Sequence, residues 1–214
     1  MEQPKNAKNP PAHALPRKEQ SGRPKIGLFG GSFNPIHIGH TRLGQAIVRQ
    51  GLADEVWFLV SPQNPLKLNS SDLLDDEARL RLARLAVTGK PHLRVSDFEM
   101  TLPRPSYMVR TLEALRREEP DKEFLLIIGA DNWLCFPQWK ESEEIRRHHR
   151  ILIYPRPGYP IDETTLPPGV RMVSTPLLDI SSTEIRRAIR NGHYRGRGLS
   201  PDVWKEIKLK GYYR

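Results

Sequence analysis

Short apolar runs alternate with amphipathic stretches from Lys25 onward, and no other feature of the chain restricts its fold as strongly. The runs Lys25–Phe29, Glu55–Val60, His92–Val95, Phe124–Gly129, Arg150–Tyr154 and Val170–Val173 read as strands. The stretches between them, His40–Gln50, Asp75–Val87, Met108–Arg117, Glu141–Arg147, Ser182–Arg190 and Pro201–Lys208, read as helices. Within the second of these, Leu80, Leu82, Ala83, Leu85 and Ala86 form an apolar stripe at roughly helical spacing, which marks core rather than a ligand site. Strand and helix in alternation, with no internal repeat, predict an α/β fold: a doubly wound, mostly parallel sheet in a single domain over residues 24–214. Ligands of such sheets sit beyond the carboxyl ends of the strands, so the segments that follow strands are where function is to be sought.

Residues 1–23 differ. They are rich in proline, lysine and asparagine with almost no large apolar residue, a composition that cannot offset its own ordering entropy and predicts a disordered extension. Glu2, Glu19 and the scarcity of serine argue against an organelle transit peptide, and the segment has no hydrophobic signal core. The longest apolar stretch, Phe124–Ile128, is far too short to cross a bilayer. A single cysteine, Cys135, has no partner for an internal disulfide and is read as a small buried apolar residue of a protein in a reducing compartment, the cytoplasm. The net charge of +9 favours anionic partners and is concentrated at the ends, in Lys5, Lys8, Arg17, Lys18 and Arg23, and in Arg186, Arg187, Arg190, Arg195 and Arg197. Phenylalanine and tyrosine do not alternate with these basic residues as on a single-strand stacking platform, but composition does not decide between nucleic acid and small phosphates; it is the motifs that follow that leave no nucleic-acid partner expected.

Two segments carry chemistry. Gly30-Gly31-Ser32-Phe33-Asn34-Pro35-Ile36-His37-Ile38-Gly39-His40 leaves the first strand and enters the first helix. Its glycines let the backbone approach a ligand, and the helix N-terminus offers unpaired N–H groups suited to phosphate. His37 and His40 fall on one side of the same turn, where imidazoles can donate to non-bridging phosphate oxygens. The string is neither a P-loop nor a three-glycine dinucleotide fingerprint, and no third ligand of suitable spacing makes the histidines a metal pair. The second segment is Ile180-Ser181-Ser182-Thr183-Glu184-Ile185-Arg186-Arg187. Ser181 and Glu184 fit a capping box, which predicts a helix start there. Ser182, Thr183 and Arg186 crowd the same start, and hydroxyls, free N–H groups and a guanidinium together make a polyphosphate cradle.

These two strings resemble the H-x-G-H and I-S-S-T-x-I-R motifs of the nucleotidyltransferase superfamily, in the form found in bacterial nicotinate-nucleotide adenylyltransferases. The resemblance implies a Rossmann-like fold and transfer of the adenylyl group of ATP to nicotinate mononucleotide, giving nicotinate adenine dinucleotide and pyrophosphate in NAD biosynthesis. It implies catalytic roles for His37, His40 and Arg186. ATP would lie against Gly30, Gly31, Ser32, Phe33, Asp131, Ser181, Ser182, Thr183 and Arg186, with Asp131 on the ribose. Mg²⁺ would be held mainly by the ATP phosphates, without a direct protein ligand. The acceptor would be bound by Asn64 and Lys67 from Pro62-Gln63-Asn64-Pro65-Leu66-Lys67, by Tyr107 from Ser106-Tyr107-Met108-Val109-Arg110-Thr111-Leu112, and by Trp139 and Lys140 from Phe136-Pro137-Gln138-Trp139-Lys140, the indole stacking on the pyridine ring. Arg156-Pro157-Gly158 and Gly211-Tyr212-Tyr213 also match family segments.

The chain departs from the family pattern at two places. Asn34 stands where aspartate is commoner, and Met108 stands where a threonine often helps to bind the nicotinate group. A thioether donates no hydrogen bond, so the pyridine must be oriented by other groups. Nicotinamide mononucleotide and phosphopantetheine are the alternative acceptors, and a nucleotide sensor or RNA-binding protein is the non-enzymatic alternative. Monomer and homodimer are equally compatible with the sequence.

Overall fold

The structure is a computed structural model, and it describes residues 22–62, 72–175 and 180–214. Six strands form one sheet: β1 Lys25–Gly31, β2 Glu55–Val60, β3 Leu93–Ser96, β4 Glu123–Gly129, β5 Ile151–Tyr154 and β6 Val170–Met172. Their order is β3-β2-β1-β4-β5-β6, and every pairing is parallel. The expected mostly parallel, doubly wound sheet is therefore entirely parallel among the described residues.

The helices are α1 Ile38–Arg49, α2 Asp76–Val87, α3 Met108–Glu118, α4 Ala130–Leu134, α5 Ser142–His148, α6 Ser182–Arg190 and α7 Pro201–Lys210. The short α4 and the 3-10 turns at Phe98–Thr101 and Phe136–Gln138 have no counterpart in the sequence reading. They are too short to show a helical period. None of the helices is long and apolar enough to cross a membrane.

Strand alternation divides the core into two layers. On one face Phe29, Phe58, Leu125, Ile127 and Leu152 pack with Leu43 and Ile47 of α1, Leu82 and Ala83 of α2, Ile185 of α6 and Val203 and Ile207 of α7. On the other face Leu28, Leu59, Leu126, Ile128 and Ile153 meet Val109, Leu112 and Leu115 of α3 and Ile145 of α5. Both faces of β1 and β4 are covered, which is why their sequences are continuously apolar.

Connections leave β1 toward β2 on one side and β4 toward β5 on the other. The strand order thus reverses between β1 and β4, and a crevice opens beyond their carboxyl ends. That crevice holds the site.

Candidate active site

The crevice is about 1380 Å³. Ordinary small-ligand pockets run from roughly 300 to 1,000 Å³, so this one has room for two nucleotides side by side. Its lining includes Gly30, Gly31, Ser32, Phe33, His37 and His40 from the first loop, and Ser181, Ser182, Thr183 and Arg186 from α6. Asp131, Tyr107, Trp139 and Lys140 complete the walls. Asn64 and Lys67 lie outside the described residues.

The two histidines form a rigid unit. His37 is the extended residue that precedes α1, and its ring stacks on that of His40 with centroids 3.6 Å apart and planes 19° from parallel. The backbone N–H of His37 donates to His40 Nδ1 at 3.1 Å. An amide can only donate, so His40 Nδ1 is the unprotonated nitrogen and the ring proton sits on Nε2. His37 is buried, and desolvation with the nearby Arg156 guanidinium holds its pKa down at about 4, so the imidazole is neutral at pH 7. Its Nδ1 is buried without a partner. Gly39 makes this packing possible, because a Cβ there would lie 2.9 Å from two atoms of the His37 ring.

Phe33 adopts a positive φ of 44°, and its buried ring packs against Phe29, Phe58 and His40. The ring supports His40 from behind and leaves the backbone of Phe33 as the part a ligand can use.

Distant segments meet here by direct bonds. Ser182 Oγ donates to Pro35 O at 2.9 Å across 147 residues of chain, and Arg186 Nη1 donates to Asn34 O at 2.8 Å across 152. Arg186 Nε is buried without a partner. The expected capping box at Ser181 and Glu184 is not formed. Ser181 occupies the N-cap position, but its hydroxyl makes no capping bond and the residue lines the crevice instead, while Glu184 is exposed. The α6 N-terminus is docked on the first loop through Ser182 and Arg186, which places Ser181 at the crevice.

Asn34 is buried, and its amide bridges Asp72 O at 2.8 Å, Tyr213 Oη at 2.8 Å and Leu74 N at 3.3 Å. Its side chain clamps the C-terminus and the α2 approach onto the loop. An amide is what this place requires: Nδ2 donates to a carbonyl, which a carboxylate could not do.

At the end of β4, Gly129 precedes α4, and Asp131 lies in the first turn of that helix. Asp131 Oδ1 is buried, with Arg156 Nε 3.4 Å away. A Cβ on Gly129 would stand 2.3 Å from that oxygen and 3.1 Å from Tyr154 Cζ. Gly129→Ala is therefore expected to push Asp131 aside; with Asp131 on the ATP ribose, as the sequence resemblance implies, the KM for ATP would rise about tenfold, the loss of one hydrogen bond to a charged group. Steady-state kinetics with ATP as the varied substrate will check this, and an unchanged KM would remove Asp131 from the nucleotide.

The opposite wall is aromatic and basic. Lys140 Nζ lies 5.0 Å and Arg110 Cζ 5.4 Å from the centre of the Tyr107 ring. Trp139 packs against Phe136 with centroids 5.4 Å apart, and its Nε1 is buried without a partner. Met108 lines the crevice beside Gly30, so that a Cβ on that glycine would come within 2.9 Å of Met108 Cε. Cys135 corrects its expectation: it is exposed and lines the crevice, because it caps α4 on the open rim of the sheet.

Among the buried charges that escaped the sequence reading are Arg79 and Glu99. Arg79 is fully buried in α2, and its guanidinium donates to Ser32 O at 2.7 Å, Ser61 O at 2.8 Å, Leu74 O at 3.0 Å and Asp76 Oδ1 at 2.5 Å. Glu99, 2% exposed, accepts from Ser61 Oγ at 2.7 Å and Thr111 Oγ1 at 3.0 Å. A charge at helical spacing from Leu82, Ala83 and Ala86 is the one signal the sequence offered for Arg79, and for Glu99 it offered none.

The family model described as cytidylyltransferase-like matches residues 28–188. A Bacteroides fragilis protein named "Probable nicotinate-nucleotide adenylyltransferase" is 51% identical over 86% of this chain and 90% of its own length. A protein of the same name from Bacteroides thetaiotaomicron is 50% identical over 90% of this chain and 95% of its own. Among solved structures, Plasmodium falciparum nicotinic acid mononucleotide adenylyltransferase complexed with NaAD has a TM-score of 0.74 at 20% identity. The alignment covers 89% of this chain and 97% of that one, and at this identity it speaks for the fold.

Proposed function

The chain belongs to the cytidylyltransferase-like family and, within it, to the nicotinate-nucleotide adenylyltransferases; from that premise we propose that it joins the adenylyl group of ATP to nicotinate mononucleotide, releasing pyrophosphate. One observation carries the site assignment: the histidine loop and the α6 N-terminus, far apart in sequence, are bonded to each other through Ser182–Pro35 and Arg186–Asn34 and line one crevice.

In this reading the triphosphate lies between them. Backbone groups of Gly30, Gly31, Ser32 and Phe33, the imidazoles of His37 and His40, the hydroxyls of Ser181, Ser182 and Thr183, and the Arg186 guanidinium all donate to phosphate oxygens. Asp131 accepts from the ribose. Asn64, Lys67, Tyr107, Trp139 and Lys140 hold the acceptor. An acceptor phosphate oxygen bonds to the α-phosphorus as the bond from that phosphorus to the bridging oxygen of the β-phosphate breaks. The attacking oxygen is already ionised, so no general base is needed. Catalysis then rests on alignment and on donors aimed at the oxygens where charge builds up.

Among the described residues no cluster of three His, Cys, Asp or Glu side chains could cage a metal ion. As the family resemblance implies, a divalent cation such as Mg²⁺ would be held mainly by the ATP phosphates, its charge shared with the protein's donors.

Lys140, which lines the crevice beside Tyr107 and lies 3.9 Å from Glu141, gives the acceptor wall a positive charge, which supports a pyridine carboxylate over a neutral amide despite Met108. The test is pyrophosphate release from ATP with nicotinate mononucleotide, nicotinamide mononucleotide and phosphopantetheine, each at the same concentration. The first is expected to react fastest. Preference for either of the others would overturn the acceptor, and RNA binding without turnover of any would overturn the enzyme. Trp139→Ala is expected to raise the acceptor KM about tenfold, the worth of one aromatic stack, and to change the ATP KM less than about twofold. Equal effects on both substrates would discredit the stacking role.

A further inference from the structure

Glu99 lies deep beneath the acceptor wall, and its carboxylate gathers hydroxyls from three separate places. Ser61, just past β2, donates at 2.7 Å to Oε2; Thr111 of α3 donates at 3.0 Å to Oε1; Ser106, just before α3, adds a third bond. Ser106 and Thr111 flank Tyr107 and Met108, both of which line the crevice. The same Ser61 binds the other wall, since its backbone N–H donates to Gly31 O at 3.0 Å and its carbonyl accepts from Arg79 Nη1 at 2.8 Å. Arg79 Nη1 also reaches Ser32 O in the first loop at 2.7 Å. A buried polar chain therefore runs from the phosphate loop, through Arg79 and Ser61, to Glu99 and the start of α3.

We propose that Glu99 is a positioning residue for acceptor binding: it fixes the first turn of α3, and with it Tyr107 and Met108, relative to the phosphate loop through their shared bond to Ser61. This rests on the acceptor reading of that wall given above. Glu99 contributes to the floor of the crevice, but both its oxygens are engaged by the protein and only 2% of its surface is exposed, so it acts through Tyr107 and Met108. Burial raises the carboxyl above its ordinary range while the three hydroxyls pull it down, as befits a group held by bonds. Hydroxyls can turn to donate or accept, so a glutamine of the same shape can keep the bonds without the charge.

Thr111→Val, Glu99→Gln and Glu99→Leu variants of the full chain test this. Thr111→Val removes one donor at constant shape and is expected to raise the acceptor KM about fivefold or more, with kcat and the ATP KM within about twofold of wild type. Glu99→Leu is expected to raise it further, and Glu99→Gln to restore it to within about threefold of wild type. Hydrogen exchange in Thr111→Val, read without substrate, is expected to quicken at the amides of Arg110 and Thr111 while the most protected core amides keep their rates.

An unchanged acceptor KM in Thr111→Val, or ATP and acceptor KM rising together, overturns the proposal. An inactive wild type with nicotinate mononucleotide would overturn the acceptor reading alone. The exchange pattern would then decide whether Glu99 holds the α3 start, and unchanged local rates would overturn that.

Discussion

His40→Ala is expected to lower turnover by about 10²–10³-fold with little change in the fold, the cost of deleting one donor aimed at transition-state charge. The geometry explains why His40 is the more exposed to loss of function. Its Nδ1 is used by the His37 backbone N–H at 3.1 Å, so its one ring proton sits on Nε2, the nitrogen from which the imidazole would donate to a phosphate oxygen. Alanine removes both that proton and the acceptor of the His37 amide, and an unpaired amide costs about 1 kcal/mol or more in stability.

His40→Asn separates the two roles. Asparagine can present a short side-chain oxygen near the position of Nδ1 and restore the amide bond, but it has nothing at the position of Nε2. It is expected to match wild type in thermal unfolding and His40→Ala in rate. Pyrophosphate release and calorimetry on both variants make the measurement. A near-normal rate in His40→Asn would end the case for this imidazole as a donor to the triphosphate.

The largest stability effect is expected at Arg79. Its guanidinium satisfies three backbone carbonyls, Ser32 O, Ser61 O and Leu74 O, and pairs with Asp76, at a site with no solvent exposure. Desolvation lowers the pKa of the group and Asp76 raises it, so the charge depends on its partners to remain buried. Arg79→Met fills much of the volume but leaves the carbonyls and Asp76 without a donor.

The expected loss is about 3–5 kcal/mol, the usual cost of removing one partner from a buried charged network. Each kcal/mol lowers the melting temperature of a domain this size by about 2–4 °C, so a shift of roughly 10 °C should be visible. Arg79→Lys keeps the charge but not the planar fork, and it is expected to recover only part of the loss. Urea unfolding will read both, and a loss below about 1 kcal/mol for Arg79→Met would show that water can replace the guanidinium.

Much of this molecule was legible in one dimension. Apolar runs of strand length and stripes of helical spacing give six strands and six of the helices within a few residues, because those signals lie within a turn or two of each element. The histidine loop and the Ser182–Arg186 start were legible for the same reason: residue types that suit phosphate, at fixed offsets beside a helix N-terminus. Tertiary structure alone decided what those segments touch. It placed Ser182 on Pro35 and Arg186 on Asn34, exposed Cys135 on the rim, withdrew Ser181 from its cap and revealed Glu99 as the common acceptor of Ser61, Ser106 and Thr111. Local spacing records a residue's own helix or strand. The partner of a buried charge lies tens of residues away, where only the packing of the sheet and its two layers of helices brings it within reach.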